Sequence, residues 1–213
     1  MNRGIALALT SALIALAPVT LHAQARGYAE LPAPQAVESG SKIEVREFFW
    51  YGCPHCYAVE PIVERWLKRK PANVEFIRTP ATAPRWLVHA QAFYAFEALG
   101  ATVKTHSALF KALHEKNRKL ENQEALAEFA AEQGLDATKF REAFNSFGVR
   151  TKLEKAKRIN EVYGVTSVPM FSVDGKYMTS AELAGGDEAV MTVVDQLVQK
   201  AAQERAAKRG AGK

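Results

Sequence analysis

The chain has 213 residues, of which 48% are hydrophobic and 24% charged, a globular composition that excludes general disorder. Its length suffices for one large domain whose core needs no covalent staples. The only two cysteines, Cys53 and Cys56, are too close in sequence to link distant parts of a fold, so a disulfide-stapled scaffold is excluded. Part of the formal net charge of +5 lies at the extreme ends of the chain.

The first 25 residues have the pattern of a secretory signal peptide. An apolar run over 5–17 is interrupted by Pro18, and the small residues at 23–25 fit a signal-peptidase site. The rival interpretation, an uncleaved membrane anchor, is disfavoured because this run is shorter than the roughly 20 residues that span a bilayer. We therefore expect a soluble mature chain that starts near Arg26 and lies outside the cytosol, where disulfides persist.

The first predicted elements follow an extended lead-in over 26–41. Residues 43–49 alternate between apolar and polar side chains, which predicts a strand. Gly52 closes that strand, and a helix is predicted from Cys53, with Pro54 in the first turn, where its missing N–H costs nothing. A second strand is predicted over 74–77.

The remainder of the chain is mainly helical in pattern. Helices are expected over 89–99, 107–114, 124–133, 138–147 and 152–163, and from Asp187 onward. Asp174-Gly175, between apolar segments at 169–173 and 176–179, predicts a hairpin. A strand-helix-strand start needs a parallel pair and the hairpin adds antiparallel strands, which together predict a mixed sheet.

These elements predict an α/β fold in four segments. The boundaries that we expect are a signal peptide at 1–25, a domain made of 26–79 and 148–205, a helical insertion at 80–147 and a basic flexible tail at 206–213.

The Cys-Pro-His-Cys sequence at 53–56 carries the strongest chemical signal. Two cysteines at this spacing on the first turn of a helix place one sulfur at the positive end of the helix dipole, which favours the thiolate. Cys53 is therefore expected to be an exposed nucleophile of low pKa, while Cys56 faces the domain. His55 can add a positive charge or a hydrogen bond. Stabilising the thiolate stabilises the dithiol and makes the disulfide a stronger oxidant.

Two other interpretations of the cysteine pair are disfavoured. A zinc site needs about four ligands, and His89, His106 and His114 lack metal-binding spacings. A structural disulfide closing so small a loop would remove little chain entropy. We therefore expect a redox-active cysteine pair rather than a zinc site or a structural link.

Glu47 falls on the apolar face of the first predicted strand. A buried carboxylate is costly unless it is partnered or protonated. One interpretation places Glu47 beneath the sulfur pair, with a raised pKa, relaying a proton to or from Cys56; the other is a strand-edge residue facing solvent. Glu60, one turn after Cys56, is consistent with a similar role and equally with an exposed position.

Residues near the predicted hairpin and the first strand are candidates for substrate contact. Pro169 is either a trans edge proline or part of a cis-proline loop against the sulfurs, which would leave the Val168 backbone free to pair with an extended substrate. Trp50, Tyr51 and Met170 can supply an apolar surface for unfolded chains, or they can be packing residues.

The segment Glu47-Phe-Phe-Trp-Tyr-Gly-Cys53-Pro-His-Cys56, the helical insertion, Thr166-Ser-Val-Pro169 and the signal peptide together resemble the bacterial DsbA family of periplasmic thiol oxidases, within the thioredoxin superfamily. The resemblance spans essentially the whole mature chain. It implies a thioredoxin-like mixed sheet flanked by helices, with an inserted all-helical subdomain. It also implies that Pro169 is cis and that Glu47 is a buried acid with charged neighbours. Lys68 and Lys70 lie nearby, but no lysine matches clearly.

The resemblance implies a reaction and partners as well. The Cys53–Cys56 disulfide would pass to unfolded secreted proteins with free thiols, through a mixed disulfide at Cys53, and a DsbB-like membrane protein linked to quinone would reoxidise the dithiol. A periplasmic monomer is expected, and the implied reaction needs no metal and no organic cofactor. The alternatives are a disulfide isomerase or reductase of the same superfamily and a non-enzymatic periplasmic binding protein. Nucleic-acid binding is disfavoured because the basic residues lack an aromatic platform.

Overall fold

The computed structural model describes residues 27–211, and the predicted signal peptide lies outside them. The strands are β1 (Ala29–Glu30), β2 (Ile43–Phe49), β3 (Val74–Pro80), β4 (Met170–Val173) and β5 (Tyr177–Thr179). They form one sheet in the order β1-β5-β4-β2-β3, in which only the β2–β3 pair is parallel among the described strands. The predicted mixed sheet is therefore confirmed.

Eight α-helices occur within residues 27–211. They are α1 (Pro54–Leu67), α2 (Leu87–Ala98), α3 (Thr102–His114), α4 (Gln123–Glu132), α5 (Ala137–Phe144), α6 (Phe147–Val162), α7 (Ala181–Ala184) and α8 (Asp187–Ala211). A 3-10 turn (Pro84–Trp86) precedes α2. No helix among these residues is long and apolar enough to cross a membrane.

Strand β2, which lies between β4 and β3, is buried along its whole length because helices cover both faces of the sheet. On one face, Ile43 and Val45 pack against apolar residues of α1 and α8. On the other face, Phe48 packs against Tyr163, which ends α6. The face of β2 that bears Glu47 is therefore the face under α1, the helix that begins at the cysteine pair.

Two charged residues of β2 are buried on the α6 side, which its alternating pattern did not indicate. Glu44 is 0% and Arg46 2% exposed. The guanidinium of Arg46 donates hydrogen bonds to Glu44 and to Thr79 of β3, and it also pairs with Glu38 of the lead-in. A second layer of protein over this face excludes water, and the charges are tolerated there because they are paired.

The predicted hairpin joins β4 and β5. Asp174 and Gly175 both take positive φ angles, 56° and 65°, as a two-residue type I′ turn requires. Gly175 is needed for a second reason, because a Cβ atom there would lie 2.2 Å from the carbonyl oxygen of Gln35. The lead-in thus runs against the turn, and it contributes the short edge strand β1.

Helices α2 to α5 follow β3 and share a core rich in aromatic residues. Its fully buried members include Phe96, Phe110, Phe129 and Phe140. Phe49 and Tyr51, at the end of β2, join the same core, so the helical region packs directly on the segment that leads into Cys53. Helix α6 begins at Phe147, the last residue of the predicted insertion 80–147, whose boundaries stay a prediction.

The C-terminal segment differs from the prediction of a flexible tail. Helix α8 continues to Ala211, although residues 206–210 are exposed. Part of the predicted tail is therefore helical, and its flexibility stays a prediction. The segment lacks apolar periodicity, but most of its residues are alanine, lysine and arginine, which have high helix propensity and extend a helix already nucleated by packing of its earlier turns.

Candidate active site

Cys53 is the N-cap of α1, directly after the loop that leaves β2. Its sulfur accepts a hydrogen bond from the backbone N–H of Cys56, with 3.4 Å between nitrogen and sulfur. Both cysteines are free thiols in the structure. Cys53 is 7% exposed and Cys56 1%, so Cys53 is the more accessible sulfur but is less exposed than expected.

The two thiols have opposite acidities. The pKa of Cys53 is lowered to about 6, chiefly because the Cys56 thiol hydrogen-bonds to its sulfur and then through the backbone N–H groups of Cys56 and His55. The charge of His55, which is exposed, contributes less than these hydrogen bonds. Burial raises the pKa of Cys56 well above its ordinary value. At neutral pH, Cys53 is therefore a thiolate and Cys56 a thiol.

The loop before β4 covers Cys53. The Val168–Pro169 peptide bond is cis, as the family resemblance implied, while the role of Pro169 in the site stays a prediction. The Cys53 sulfur lies 3.3 Å from the carbonyl oxygen of Val168, which accepts its hydrogen bond when Cys53 is protonated. A shallow groove lined by His55, Val168, Pro169, Ser180 and Glu182 continues from this contact.

Trp50 lies on the other side of the cysteine pair and is half-buried. Its indole stacks on that of Trp86, with 5.0 Å between ring centroids. Gly52 makes this arrangement possible, because a Cβ atom at position 52 would lie 2.3 Å from the Trp50 ring. Trp50 and Pro54 border a second groove, with Val88 and Leu113 contributing apolar side chains.

The prediction that Tyr51 contacts substrate is wrong. Tyr51 is 1% exposed and packs against Phe49 and Phe110, because the helical region covers the end of β2. Met170 is half-buried and packs with Phe48 and its neighbours on the sheet, so its predicted substrate contact stays a prediction.

A cluster of charged residues lies under α1 and contains both carboxylates considered from the sequence. Glu47 is 1% and Glu60 5% exposed. The Arg78 guanidinium donates to Glu47 at 3.0 Å, to Glu60 at 2.9 Å and to Glu64 at 3.2 Å. The cationic partner of Glu47 is thus Arg78 of β3, rather than Lys68 or Lys70.

Burial is the largest cause of the shifted carboxyl pKa values in this cluster. It raises the pKa of Glu47 and of Glu60 to about 7, and the positive charge of Arg78 offsets the effect only in part. Two buried carboxylates therefore share one half-buried guanidinium and hold a proton near neutral pH.

Arg78 was missed, although the sequence contains a usable signal. In the parallel β2–β3 pair, Arg78 lies opposite Glu47. Arg78 also has the same alternation parity as Val74 and Phe76, which indicates an inward-facing position. If β2 and β3 are assumed to pair in parallel, this inward-facing basic residue falls beside the buried Glu47, and the Glu47–Arg78 ion pair can be predicted.

Three histidines of α2 and α3, which had been considered only as metal ligands, hold the residues just before Cys53. The Trp50 indole N–H donates to His89 Nδ1 at 3.0 Å. The Tyr51 hydroxyl lies 2.9 Å from His106 Nδ1, and His114 Nε2 lies 2.7 Å from the Tyr51 carbonyl oxygen. Within residues 27–211, no group of three or more potential ligands is arranged to hold a metal ion.

Comparisons with known proteins show the family to which the chain is similar. A model of the DSBA-like thioredoxin domain family matches residues 81–198, a region that begins just after β3. Thiol:disulfide interchange protein DsbA of Pseudomonas aeruginosa is 44% identical over 181 residues, which cover 84% of each chain. DsbA of Azotobacter vinelandii is 43% identical over 183 residues, covering 85% of this chain and 84% of that protein.

Solved structures of the same family are similar as well. The crystal structure of Pseudomonas aeruginosa DsbA has a TM-score of 0.80 at 43% identity, covering 86% of this chain and 94% of that one. DsbA from Xylella fastidiosa has a TM-score of 0.77 at 30% identity, covering 84% and 96%. The fold is thus thioredoxin-like with added helices, and the chain belongs to the DsbA family.

Proposed function

We propose that this DsbA-family oxidoreductase donates a Cys53–Cys56 disulfide to unfolded proteins newly secreted into the periplasm. The observation that carries the proposal is the asymmetry of the two sulfurs at one helix N-terminus. The Cys53 pKa is lowered to about 6 and that of Cys56 is strongly raised. Since the dithiol gains from the stabilised thiolate, the disulfide is the reactive, oxidising form.

The reaction that follows from this asymmetry has two exchange steps. A substrate thiolate attacks the Cys53 sulfur, the Cys53–Cys56 bond breaks, and Cys56 leaves and takes up a proton. A second thiolate of the substrate then attacks the substrate sulfur of the mixed disulfide, and Cys53 leaves as a thiolate. The substrate loses two electrons and the protein becomes a dithiol, with Cys53 the better leaving group because of its low pKa.

The charged cluster supplies the proton in the first step. Cys56 needs a proton on departure because burial disfavours its thiolate. The negative charge of Glu47 acts in the same direction, since it also raises the pKa of Cys56. With pKa values of about 7, Glu47 and Glu60 hold a transferable proton at neutral pH, and Arg78 keeps the remaining negative charge paired.

The substrate chain lies beside Pro169 in this proposal. The groove from His55 to Glu182 begins at the Val168 carbonyl, so an extended segment with its cysteine on Cys53 can run along it. Val168 would pair with the substrate backbone, and Trp50 would border the chain on the opposite side. Pro54, directly after Cys53, is exposed in the first turn of α1 and would lie beside the bound chain.

Turnover requires an oxidant that restores the disulfide. We propose a DsbB-like membrane protein linked to quinone as that oxidant, a proposal supported by membership of the DsbA family, and we propose that the protein works as a monomer in the periplasm. The cysteine pair carries the two electrons itself, so the proposal includes neither a metal nor an organic cofactor.

An assay with a reduced protein that has several cysteines tests the function. The oxidised protein should form disulfides in this substrate at a stoichiometry of one per molecule of enzyme, and the prereduced protein should form none. The isomerase alternative predicts faster reshuffling of a scrambled, fully oxidised substrate instead. If oxidised and reduced protein have equal effects on the reduced substrate, the binding-protein alternative replaces the proposal.

A further inference from the structure

The imidazole of His106 is a buried polar group inside an aromatic shell. It is 3% exposed, and its ring meets those of Phe49, Phe93 and Phe110 edge-to-face, with centroids 5.1, 6.3 and 5.2 Å away. A side chain in such surroundings is costly unless its nitrogen atoms have partners. A phenylalanine would fill the same space without that cost, so the two nitrogens need an explanation.

One nitrogen faces the active-site loop and the other faces the charged cluster. His106 Nδ1 lies 2.9 Å from the Tyr51 hydroxyl, and Nε2 lies 3.4 Å from Oε2 of Glu60. Among the described residues, neither Nε2 nor this Oε2 has a hydrogen-bond partner that meets normal geometry. The two atoms therefore have only each other, and 3.4 Å leaves no room for a water molecule between them.

The electrostatic surroundings fix which nitrogen carries the proton. The pKa of His106 is lowered to about 3, first by burial and then by the charge of Arg78, so the ring is neutral. When Glu60 is ionised, a proton on Nδ1 would leave the bare Nε2 lone pair facing a negatively charged oxygen. With the proton on Nε2, the Tyr51 hydroxyl donates to Nδ1, and the N–H at Nε2 lies beside Glu60 Oε2 in a charge–dipole contact that is longer and less well aligned than a normal hydrogen bond.

A continuous polar chain results. It runs from the Tyr51 hydroxyl through His106 to Glu60, then through Arg78 to Glu47. The groups that face the cluster come from every element around it: Glu47 from β2, Glu60 and Glu64 from α1, Arg78 from β3 and His106 from α3.

We propose that His106 is a positioning residue for the thiol chemistry: its Nε2–H holds Glu60 against Arg78 and thereby sets the acidity of the carboxylate pair that serves Cys56. The inserted helices would in this way tune a site formed by the smaller domain. The effect on disulfide transfer rests on the proposed function, whereas the effect on Glu60 does not.

Two substitutions of His106 separate the contacts. In His106→Gln, the side-chain amide nitrogen lies about where Nε2 was and can still donate to Glu60. In His106→Asn, the amide nitrogen lies about where Nδ1 was, so it faces Tyr51 and does not reach Glu60. Carboxyl-carbon NMR of the glutamates, measured against pH, gives the result directly. We expect His106→Asn to raise the pKa of Glu60 by about one unit, because the N–H that lies beside its charged form is lost, and His106→Gln to remain near wild type.

Tyr51→Phe provides a second variant if His106→Asn does not fold. It removes the donor to Nδ1 and with it the preference for the Nε2–H tautomer, so the Glu60 pKa should rise by a smaller amount. Lys111→Gln, on the exposed side of α3, controls for the charge of that helix. An unchanged Glu60 pKa in both His106→Asn and Tyr51→Phe overturns the proposal.

The same variants test the link to thiol chemistry. The pH dependence of mixed-disulfide formation should shift in His106→Asn by the amount that the Glu60 pKa shifts, and His106→Gln should restore it. A purely packing role would instead change the rate equally at every pH. Wild-type protein without oxidase activity would contradict the proposed function, while the NMR titration would still decide the role of His106.

Discussion

Replacing Cys53 by serine should reduce disulfide transfer to the uncatalysed background. Cys53 is the more accessible sulfur and the one with the lowered pKa, so it receives the substrate thiolate and later leaves as a thiolate. A serine hydroxyl can do neither, and Cys56 cannot substitute because it is 1% exposed and held as a thiol. The measurement is oxidation of a reduced multi-cysteine protein, followed by the loss of free thiols.

Cys56→Ser is the matched control for that variant. It leaves Cys53 at the N-terminus of α1 but removes its resolving partner, so a mixed disulfide with a substrate or with glutathione should persist on Cys53. Mass spectrometry of the protein detects the adduct. If Cys53→Ser retained activity, or if Cys56→Ser formed no adduct, the assigned roles of the two sulfurs would be wrong.

Arg78→Met should have the largest effect on stability. Arg78 is the common partner of Glu47 and Glu60, both of them buried. Removing one side of a buried ion pair costs about 3–5 kcal/mol, because it leaves uncompensated buried charge. We expect a loss of that order in the free energy of unfolding at pH 8, measured by urea denaturation.

The loss should shrink at lower pH. Glu47 and Glu60 have folded pKa values of about 7, above their ordinary value of 4.5, so their contribution to stability is present below pH 4.5 and is lost as the pH rises through 7. At pH 5 both carboxyls are largely neutral and need the guanidinium less. A loss of equal size at pH 5 and pH 8 would contradict the assignment.

Glu47→Gln is the control for this experiment. It removes the carboxylate and leaves Arg78 paired with Glu60 and Glu64. At pH 8 it also removes the cost of ionising a buried carboxyl. Its unfolding free energy should therefore equal or exceed that of the wild type, which separates loss of the cation from a general disturbance of the cluster.

Local patterns predicted the framework of the fold because each has a short-range physical cause. The structure contains the elements that these patterns predicted: the strand at 43–49, the Asp174-Gly175 turn and the helix α8. The burial of Glu44 and Arg46 was not predictable in this way, since it depends on α6 covering the second face of the sheet. The helical end of α8 was missed because only apolar periodicity was considered there.

The residues of the site are likewise of two kinds: those that a local sequence pattern predicts and those that only tertiary packing brings together. Cys53, Cys56 and their order of reactivity follow from the spacing of two cysteines at a helix start, and the structure places both there. Glu47 was identified from strand parity. Arg78 and His106 come from distant segments, β3 and α3, and meet Glu60 only through tertiary packing. The buried position of Tyr51 has the same origin, because helices of the insertion cover it.

The ionisation of Cys53 tests the central claim most directly. Ultraviolet absorbance of the thiolate in the reduced protein, measured against pH, should titrate with a midpoint of about 6. Cys56→Ala should raise this midpoint, because the Cys56 thiol, which donates to the Cys53 sulfur, is the largest cause of the lowered Cys53 pKa. Cys56→Ser should raise the midpoint less, because the serine hydroxyl still donates. A wild-type midpoint near the ordinary value of about 8.5 would contradict a disulfide driven by a stabilised thiolate.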